Sequence, residues 1–284
     1  MALATRIGAR RLTASSSQTK PPALLLRLRN VPILDALRVE EALFRTDNRS
    51  WLITNEWDHD SDRAINSLTG ASIRSEAATS IVLGLSGKTA ELVDIEKSRA
   101  AGVPLCRRFT GGGTVVVDKS TIFVTFLTAA DALPDIAPFP EPVLRWTSDI
   151  YADAFERCGV RGFATHANDY CVDDRKFGGN AQSISGKRWL HHTSLLWEYE
   201  RERMSLLRMP AKRPEYRASR PHEEFIRGLR AAGVPDRAAF VEAVIAATAD
   251  RLELREVSIE ETHAAMAAPH RKTTKPVDID NIDR

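Results

Sequence analysis

The segment best equipped for chemistry is RRFTGGGTVVVD, at residues 107–118. Its two arginines supply planar, permanently charged groups that match a carboxylate or a phosphate. The glycines Gly111, Gly112 and Gly113 let the backbone approach a bound anion and point successive N–H groups at it. The β-branched residues that follow predict a strand, which would hold this turn rigidly. The segment indicates an anion-binding turn, although an ordinary turn beside solvated arginines has the same composition.

The spacing of these glycines differs from both common phosphate-binding fingerprints. The Walker loop needs GxxxxGK[ST], and the Rossmann turn needs GxGxxG followed by a helix. Because a strand is predicted after the glycines here, both of those nucleotide folds are disfavoured.

A second group of chemically capable residues lies between residues 166 and 196. Lys176 precedes a glycine pair on a predicted strand, where its charge can lie beside a substrate carboxylate or phosphate. Asn168 and Asp169 offer oxygens for a magnesium-bound nucleotide, and Gly179 leaves room for a ligand against the strand. Each feature alone is more often a solvated side chain or a plain turn. Together they predict one sheet that carries the glycine turn, the lysine strand and the Asn-Asp turn.

Hydrophobic periodicity outlines the elements that must position these residues. Strands are predicted at residues 50–55, 81–86, 104–109, 114–128 and 252–257, and in a meander between 170 and 198. Helices are predicted at residues 35–44, 89–101, 141–158, 221–231 and 236–249, the first of them capped by Asp35. This mixture predicts an α+β fold, with a mixed, mostly antiparallel sheet flanked by helices.

The length of 284 residues suits one large domain or two modest ones, and we predict one α+β domain at residues 23–258. Within it, residues 56–79 are polar and weakly periodic, which predicts a long loop or insertion. The charged, proline-containing residues 259–284 predict a disordered tail.

The N-terminus has a different composition from the rest of the chain. From Met1 to Leu34 there is no Asp or Glu, while several arginines are present and three consecutive serines follow the first basic cluster. This composition is typical of an organelle transit peptide, and a disordered basic tail is the alternative. We predict a transit peptide at residues 1–22 and a mitochondrial location, ahead of a plastid or cytoplasmic one.

The bulk properties exclude few classes of protein. A net charge of +2 creates no strong field, so charge argues neither for nor against nucleic acid. The three cysteines form no spaced framework, which predicts a reducing compartment and no structural metal. The apolar runs are shorter than the roughly 20 residues needed to span a bilayer. We therefore predict neither a nucleic-acid partner nor a membrane partner.

Three blocks of the sequence together resemble the lipoate-protein ligase A family, which has the biotin/lipoate protein ligase catalytic fold. They are RRFTGGGTVVVD at 107–118, NDY with DRKFGGNAQ at 168–182, and HHTSLL at 191–196. The stretch from 80 to 255, including PAKRPEYRASRPHEEF at 210–225, also reads like eukaryotic members.

The resemblance implies a lipoate-protein ligase that uses ATP and Mg²⁺. Lipoate would become lipoyl-AMP, and the lipoyl group would pass to a lysine of an apo-lipoyl domain. Such domains belong to E2 subunits of 2-oxoacid dehydrogenases and to the H protein of the glycine cleavage complex. The likeness is to a short form without the C-terminal accessory domain of long bacterial ligases. It leaves open a separate accessory subunit, unaided adenylation, or transfer from a preformed lipoyl nucleotide.

The resemblance also implies residue roles. Lys176 would be the catalytic lysine, and Asn168 and Asp169 would serve the nucleotide and Mg²⁺. The valines after the glycine turn would flank the adenine, and His191 would lie beside the lipoyl pocket. The implied lipoate- and adenylate-binding set is Arg108, Thr110, Gly111, Gly112, Gly113, Val115, Val116, Val117, Gly179, Asn180 and His191.

Two alternatives stay open. A lipoyl- or octanoyltransferase would use a preactivated donor, and a cysteine nucleophile would distinguish it from a ligase. Cys171 lies five residues before Lys176 but reads better as a packed thiol. The other alternative is a catalytically inactive binding protein of the same fold. Biotin ligation is disfavoured because RRFTGGG replaces the GRGR-type biotin loop.

Overall fold

The structure is a computed structural model that describes residues 19–58, 62–129, 131–209 and 215–282. Most of the predicted transit segment at residues 1–22 lies outside these residues. The strands are β1 (Pro22–Arg29), β2 (Trp51–Glu56), β3 (Arg63–Ile65), β4 (Ser72–Arg74), β5 (Ser80–Leu83), β6 (Leu105–Arg107), β7 (Val115–Val117), β8 (Thr121–Thr128), β9 (Phe163–His166), β10 (Asp169–Val172), β11 (Arg175–Ser185), β12 (Arg188–Leu196), β13 (Glu253–Val257) and β14 (Lys275–Val277). The helices are α1 (Ile33–Thr46), α2 (Thr89–Leu92), α3 (Ile95–Ala100), α4 (Pro140–Arg157), α5 (Arg201–Met204), α6 (His222–Phe225), α7 (Arg237–Ala249) and α8 (His263–Ala267).

The described residues form two main sheets. The large sheet has eight strands in the order β13-β1-β2-β8-β12-β11-β10-β9. Strands β13, β1 and β2 are parallel, and the remaining pairs are antiparallel. The small sheet has four strands in the order β14-β6-β5-β7. The predicted α+β fold with a mostly antiparallel sheet is therefore confirmed.

Helix α4 packs on one face of the large sheet because its apolar residues recur at helical spacing. Trp146, Ile150 and Ala154 are all buried, as the periodicity predicts. They join a core cluster with Phe126 and Trp189 of the sheet and with residues of α7. Since two long helices cover this face, the chemistry must lie on the opposite face.

Helix α1 lies on that opposite face and also contacts the small sheet. Its residues Val39 and Leu43 pack with Leu26 and Ile53 of the large sheet. Its residue Leu37 packs with Val82 of β5. Both belong to a separate cluster that also contains Cys106 and Val117 of the small sheet. The two sheets are thus held at a defined separation, which leaves space between them for a ligand.

The prediction that one sheet carries the glycine turn and the lysine strand is wrong. Residues 114–128 do not form one strand: β7 pairs with β5 in the small sheet, and β8 pairs with β2 and β12 in the large sheet. The turn between them contains Asp118, whose carboxylate accepts hydrogen bonds from the Ser120 backbone and the Thr121 hydroxyl. This side-chain capping of a tight turn explains the break.

Two predicted helices also differ from the structure. The helix at residues 89–101 is divided into α2 and α3, because Asp94 caps α3 by accepting a hydrogen bond from the Lys97 backbone. The helix at residues 221–231 is reduced to the four-residue α6. Asp35 does not cap α1 but lies in its first turn, and Pro32 occupies the N-cap position. An acidic side chain there still complements the helix dipole.

The two segments expected to lack structure are both partly regular. Within residues 56–79, β3 and β4 form a hairpin that precedes a turn of 3-10 helix. The prediction of a disordered tail at residues 259–284 is wrong for its described part. That part contains α8, and its strand β14 pairs with β6. Helix α8 packs Ala265 and Met266 into the cluster around α1, so the tail has apolar contacts that its charged composition concealed.

Candidate functional site

The glycine turn joins β6 to β7 and has the left-handed backbone that its composition suggested. Gly112 has a φ of +93°, and a Cβ at this position would lie 2.9 Å from Arg108 Nη2. A Cβ at Gly84, in the neighbouring loop after β5, would lie only 2.2 Å from the carbonyl oxygen of Gly112. Two glycines are therefore needed for the close approach of these two loops.

Arg108 is buried beneath the turn and binds its backbone. Its Nη2 donates to the carbonyl oxygens of Gly111 and Gly113 at 2.7 and 2.8 Å. Its Nε donates to Thr110 Oγ1 at 2.8 Å. Burial lowers the pKa of Arg108 to about 10, so the guanidinium is still charged near neutral pH. Arg108 thus holds the shape of the glycine turn, in addition to lining the cavity beside it.

Lys176 lies on β11 of the large sheet and lines the site. Its Nζ lies 2.7 Å from Asp169 Oδ1, and both side chains remain partly accessible, at 28% and 15%. Asp169 starts β10 and pairs with Gly179 across the antiparallel ladder, while Lys176 pairs with Cys171 after a register shift. Asn180 donates to the backbone oxygen of Asn168 and so ties down the turn before β10.

Two adjoining cavities meet at Lys176. The first, which we call the glycine-turn cavity, has a volume of about 390 Å³. The second, which we call the apolar cavity, has a volume of about 590 Å³. The glycine-turn cavity alone is bounded by Leu37, Val82, Arg108, Gly111, Gly112, Phe123, Pro140, Asn180, Ala181, Gln182 and His192, and the apolar cavity alone by Leu92, Val116, Ala167, Leu196, Met204, Leu207, Arg208, Arg217, Phe225 and Ile226. Both are also lined by Gly113, Thr114, Val115, Asn168, Asp169, Lys176, Gly179 and Ser194.

Most of the site residues predicted from the sequence line these cavities, but Thr110, Val117 and His191 do not. Thr110 is buried behind the glycine turn, where it accepts the hydrogen bond from Arg108. Val115 borders both cavities and Val116 borders the apolar one. Val117 is buried among Leu37, Cys106 and Phe123 instead. Val117 shares a face of β7 with Val115, as strand alternation requires, but it lies two residues further from the glycine turn and is covered by these three side chains. The predicted contact between Val117 and adenine is therefore wrong.

The prediction that His191 lies beside the pocket is wrong, and its neighbour His192 lies there instead. His191 points to the opposite face of β12, as strand alternation requires. Its Nε2 is 3.0 Å from the Tyr170 hydroxyl, and its Nδ1 is 3.0 Å from Gln182 Nε2. Burial, with a smaller contribution from His192, lowers the pKa of His191 to about 3, so it is neutral. Nothing in the sequence indicated which of the two adjacent histidines faces the cavity.

His192 instead borders the glycine-turn cavity and is linked to helix α1. Its Nδ1 is 2.8 Å from Glu40 Oε2, and its Nε2 is 3.4 Å from Thr110 Oγ1. Glu40 also accepts a hydrogen bond from Thr125 at 2.7 Å. These buried polar groups form hydrogen bonds with one another, and this network holds the His192 side of the cavity in one arrangement. No feature of the sequence had singled out Glu40.

The described ranges contain neither a metal-binding cluster nor a membrane-spanning helix. Those residues contain no cluster of three or more His, Cys, Asp or Glu side chains that could hold a metal ion. No helix among them is long and apolar enough to cross a membrane. At the site, Asn168 and Asp169 offer an amide and a carboxylate oxygen, which are ligand types that Mg²⁺ prefers.

Comparison with known proteins places the motifs in one family. The model of the lipoyl protein ligase A/B catalytic domain matches residues 74–250. A Plasmodium falciparum protein named inactive lipoate–protein ligase 2 is 23% identical over 237 residues, which cover 70% of this chain and 61% of that protein. Lipoate-protein ligase LplJ of Bacillus subtilis is 30% identical over 121 residues, which cover 42% of this chain and 34% of its own. The chain therefore spans less than two thirds of the length of these relatives.

Solved structures of similar shape carry the same fold. A T. acidophilum protein with bound lipoic acid has a TM-score of 0.64 and 16% identity, over 87% of this chain and 93% of its own. A lipoate-protein ligase A bound with ATP has a TM-score of 0.65 and 15% identity, over the same 87% and 93%. A bipartite Thermoplasma acidophilum ligase, studied with its E2 lipoyl domain, has a TM-score of 0.65 and 16% identity over 88% and 91%. At such identities the likeness shows the fold alone.

Proposed function

This chain belongs to the family of lipoyl protein ligase A/B catalytic domains, and we propose that it activates lipoate with ATP and transfers the lipoyl group to a lysine of a lipoyl domain. One observation carries the proposal: the Lys176 ammonium lies where the two cavities meet. A cation at that point can neutralise charge that develops between a carboxylate and a phosphate.

The two cavities suit the two substrates. The glycine-turn cavity includes the apolar side chains of Leu37, Val82 and Phe123, which favour an alkyl chain and a dithiolane ring. The apolar cavity includes Val115 and Val116, which suit the flat face of an adenine. The lipoate carboxylate and the α-phosphate would then meet at Lys176, beside the N–H groups of the glycine turn. This arrangement is the proposed orientation of both substrates.

The reaction has two steps. First, a lipoate carboxylate oxygen attacks the α-phosphorus of ATP, and the bond from that phosphorus to the bridging oxygen of pyrophosphate breaks. Second, the acceptor lysine nitrogen attacks the acyl carbon, the bond to AMP breaks, and the amine releases a proton to solvent. Lys176 would stabilise the negative charge at the acyl–phosphate junction in both steps. Closure of the site around the anhydride would limit hydrolysis.

Mg²⁺ fits the residues at the junction. Asp169 offers a carboxylate and Asn168 an amide oxygen beside both cavities, and such oxygens are the ligands that Mg²⁺ prefers. These two residues would hold the ion, which would neutralise the phosphates of the bound nucleotide. The chain's own part is to place these oxygens next to Lys176.

Reconstitution tests the proposal directly. Purified chain is incubated with ATP, Mg²⁺, lipoate and an apo-lipoyl domain, and the mass of the domain is followed. An ATP-dependent gain of one lipoyl group is the expected result. We expect Lys176→Ala to lower the rate by about a hundredfold or more, since it removes the charge at the reacting centre. An unchanged rate in Lys176→Ala would contradict the role of that lysine.

Two alternative functions would give other results in this reconstitution. A transferase would modify the domain only from preformed lipoyl-AMP or an acyl thioester. A covalent cysteine intermediate is disfavoured, because burial raises the pKa of the Cys171 thiol and Tyr216 accepts its hydrogen bond. An inactive binding protein is the other candidate, because one relative is named inactive. No mass gain from any donor, with lipoate still bound, would support it.

The partners and the location are also proposals. We propose the lipoyl domains of E2 subunits and the H protein as acceptors, and a separate accessory subunit where adenylation is slow without one. Support for the acceptor comes from the bipartite ligase studied with its E2 lipoyl domain. We propose a mitochondrial location from the composition of residues 1–22, which cell fractionation of a C-terminally tagged chain would test.

A further inference from the structure

Tyr216 reaches the lysine site from a part of the chain to which no role was assigned. Its hydroxyl donates to Asp169 Oδ2 at 2.7 Å. Lys176 Nζ lies 2.7 Å from the other oxygen, Asp169 Oδ1. One carboxylate therefore holds two donors, one on each oxygen. Hydrogen bonds to an ionised carboxylate are among the stronger ones in proteins, so the two donors compete for the same negative charge.

The Tyr216 hydroxyl is held in this orientation by contacts on every side. The ring stacks on His166, with centroids 5.1 Å apart, and packs against Phe225 at 5.3 Å. The Cys171 thiol donates to the Tyr216 oxygen at 3.6 Å. Since the thiol uses a lone pair of that oxygen, the phenol proton is left for Asp169.

The same stretch of chain also holds the backbone of Lys176. We call residues 215–229 the clamp segment. The Arg227 N–H donates to the Lys176 carbonyl oxygen at 2.8 Å, and Ile226 forms a parallel bridge with Lys176. The Leu229 N–H donates to the Leu196 carbonyl oxygen at 2.7 Å. The clamp segment thus fixes the main chain of Lys176 and also supplies the second partner of its counter-ion.

This geometry has a consequence for the proposed reaction. Without substrates, Asp169 neutralises Lys176, so the carboxyl and phosphate oxygens must compete with Asp169 for the ammonium. A second donor on Asp169 withdraws part of its charge and keeps the carboxylate in place. We propose that Tyr216 is a positioning residue, which anchors Asp169 while Lys176 turns towards the reacting carboxyl and α-phosphate oxygens. The inference rests on the proposed ligase function and adds a residue to it.

The variant Tyr216→Phe isolates the hydroxyl because it retains the ring contacts with His166 and Phe225. Without the phenol hydroxyl, Lys176 is left as the donor to the Asp169 carboxylate from this pair of side chains. The ion pair between Asp169 and Lys176 should therefore become stronger. We expect the rate constant for lipoyl-AMP formation to fall about tenfold. We expect the KM values for lipoate and ATP to stay within about twofold, because Tyr216 lines neither of the two cavities.

The experiment measures single-turnover lipoyl-AMP formation and steady-state KM values on the full chain, with melting temperatures recorded for each variant. Tyr199→Phe is the matched control, since Tyr199 lines neither cavity at Lys176, and its rate should be unchanged. Cys171→Ala keeps the Tyr216 hydroxyl but removes its thiol neighbour, so its rate loss should be smaller than that of Tyr216→Phe.

The outcomes separate the two proposals. A Tyr216→Phe rate within twofold of the unaltered chain, or a raised KM with an unchanged rate constant, would overturn the positioning role alone. An equal loss in Cys171→Ala would also overturn it, because packing and not the hydrogen bond would then be responsible. If the unaltered chain neither forms lipoyl-AMP nor transfers from it, the proposed function fails, and the positioning role fails with it.

Discussion

At the residue scale, the shape of the glycine turn depends most on Gly112. Replacement by alanine requires a left-handed backbone with φ near +93° and places Cβ 2.9 Å from Arg108 Nη2. We expect Gly112→Ala to lower the free energy of unfolding by roughly 1–3 kcal/mol. Lipoyl-AMP formation should fall as well, because the carbonyls bonded by Arg108 would move. Denaturant titration and single-turnover assays would measure both effects.

Gly111 provides a matched control for that substitution. A Cβ at Gly111 meets no heavy atom within 4 Å, and its φ is not positive. Gly111→Ala should therefore change the free energy of unfolding far less than Gly112→Ala. Equal losses in the two variants would show that the turn does not depend on the geometry described here.

A second prediction at the residue scale concerns pH. The pKa of His191 is lowered from 6.5 to about 3 in the folded chain, so the folded state binds fewer protons than the unfolded state between these values. Stability contributed by neutral His191 is present above pH 6.5 and is lost as the pH falls towards 3, by up to about 1.4 kcal/mol per pH unit.

The comparison of His191→Gln with the unaltered chain isolates this effect. We expect the variant to lose less unfolding free energy between pH 7 and pH 5, by roughly 1–2 kcal/mol, even if it is less stable at pH 7. Urea titrations at the two pH values would measure it. An equal loss of unfolding free energy in the variant and the unaltered chain would mean that His191 is not held neutral.

At the element scale, the C-terminal segment depends on one carboxylate of helix α1. Glu41 accepts hydrogen bonds from the Thr273 and Thr274 backbones at 2.9 and 2.7 Å, and from Arg45 at 2.9 Å. This contact precedes β14, which pairs with β6, and β6 leads directly into the glycine turn. The segment predicted to be disordered thus supports the edge of the small sheet.

Glu41→Gln tests this support. A neutral amide cannot accept all these hydrogen bonds, so the free energy of unfolding should fall by about 2 kcal/mol, as measured by thermal or denaturant unfolding. Glu96→Gln is the control. Its carboxylate pairs with Arg99 but is 87% exposed, so we expect a change below about 0.5 kcal/mol. A loss in Glu41→Gln as small as in the control would contradict the anchoring role.

At the scale of the whole molecule, the proposed acceptor domain would have to bring its lysine to the junction of the two cavities. Phe139 is 65% exposed and precedes Pro140, which lines the glycine-turn cavity. An exposed aromatic ring beside a reaction site is a common contact for a protein partner. We expect Phe139→Ser to raise the KM for the lipoyl domain about fivefold and to leave lipoyl-AMP formation unchanged.

Ile65→Ser is the control for this surface. Ile65 is 59% exposed on the β3–β4 hairpin, which lines neither cavity. Lipoyl-domain titrations of both variants under steady-state conditions would compare them. The same rise in KM for both would place the acceptor contact elsewhere or spread it over the surface.

The sequence alone determined those features that short runs of residues encode. The glycine turn, Lys176 and the Asn168-Asp169 pair were all found from local motifs, and the buried face of α4 followed from helical periodicity. Family membership followed from the same blocks. Each of these depends on interactions within about 20 residues of chain, which local propensity and periodicity can report.

Only the tertiary structure decided which side chains meet. Strand register placed His192 at the cavity and turned His191 away, since a shift of one residue exchanges the faces of a strand. Packing of two sheets, rather than one, created the cavities on either side of Lys176. Tyr216 reaches Asp169 across 47 positions of the sequence. Such contacts arise from the packing of distant elements and leave no periodic signal, so the sequence alone could not reveal them.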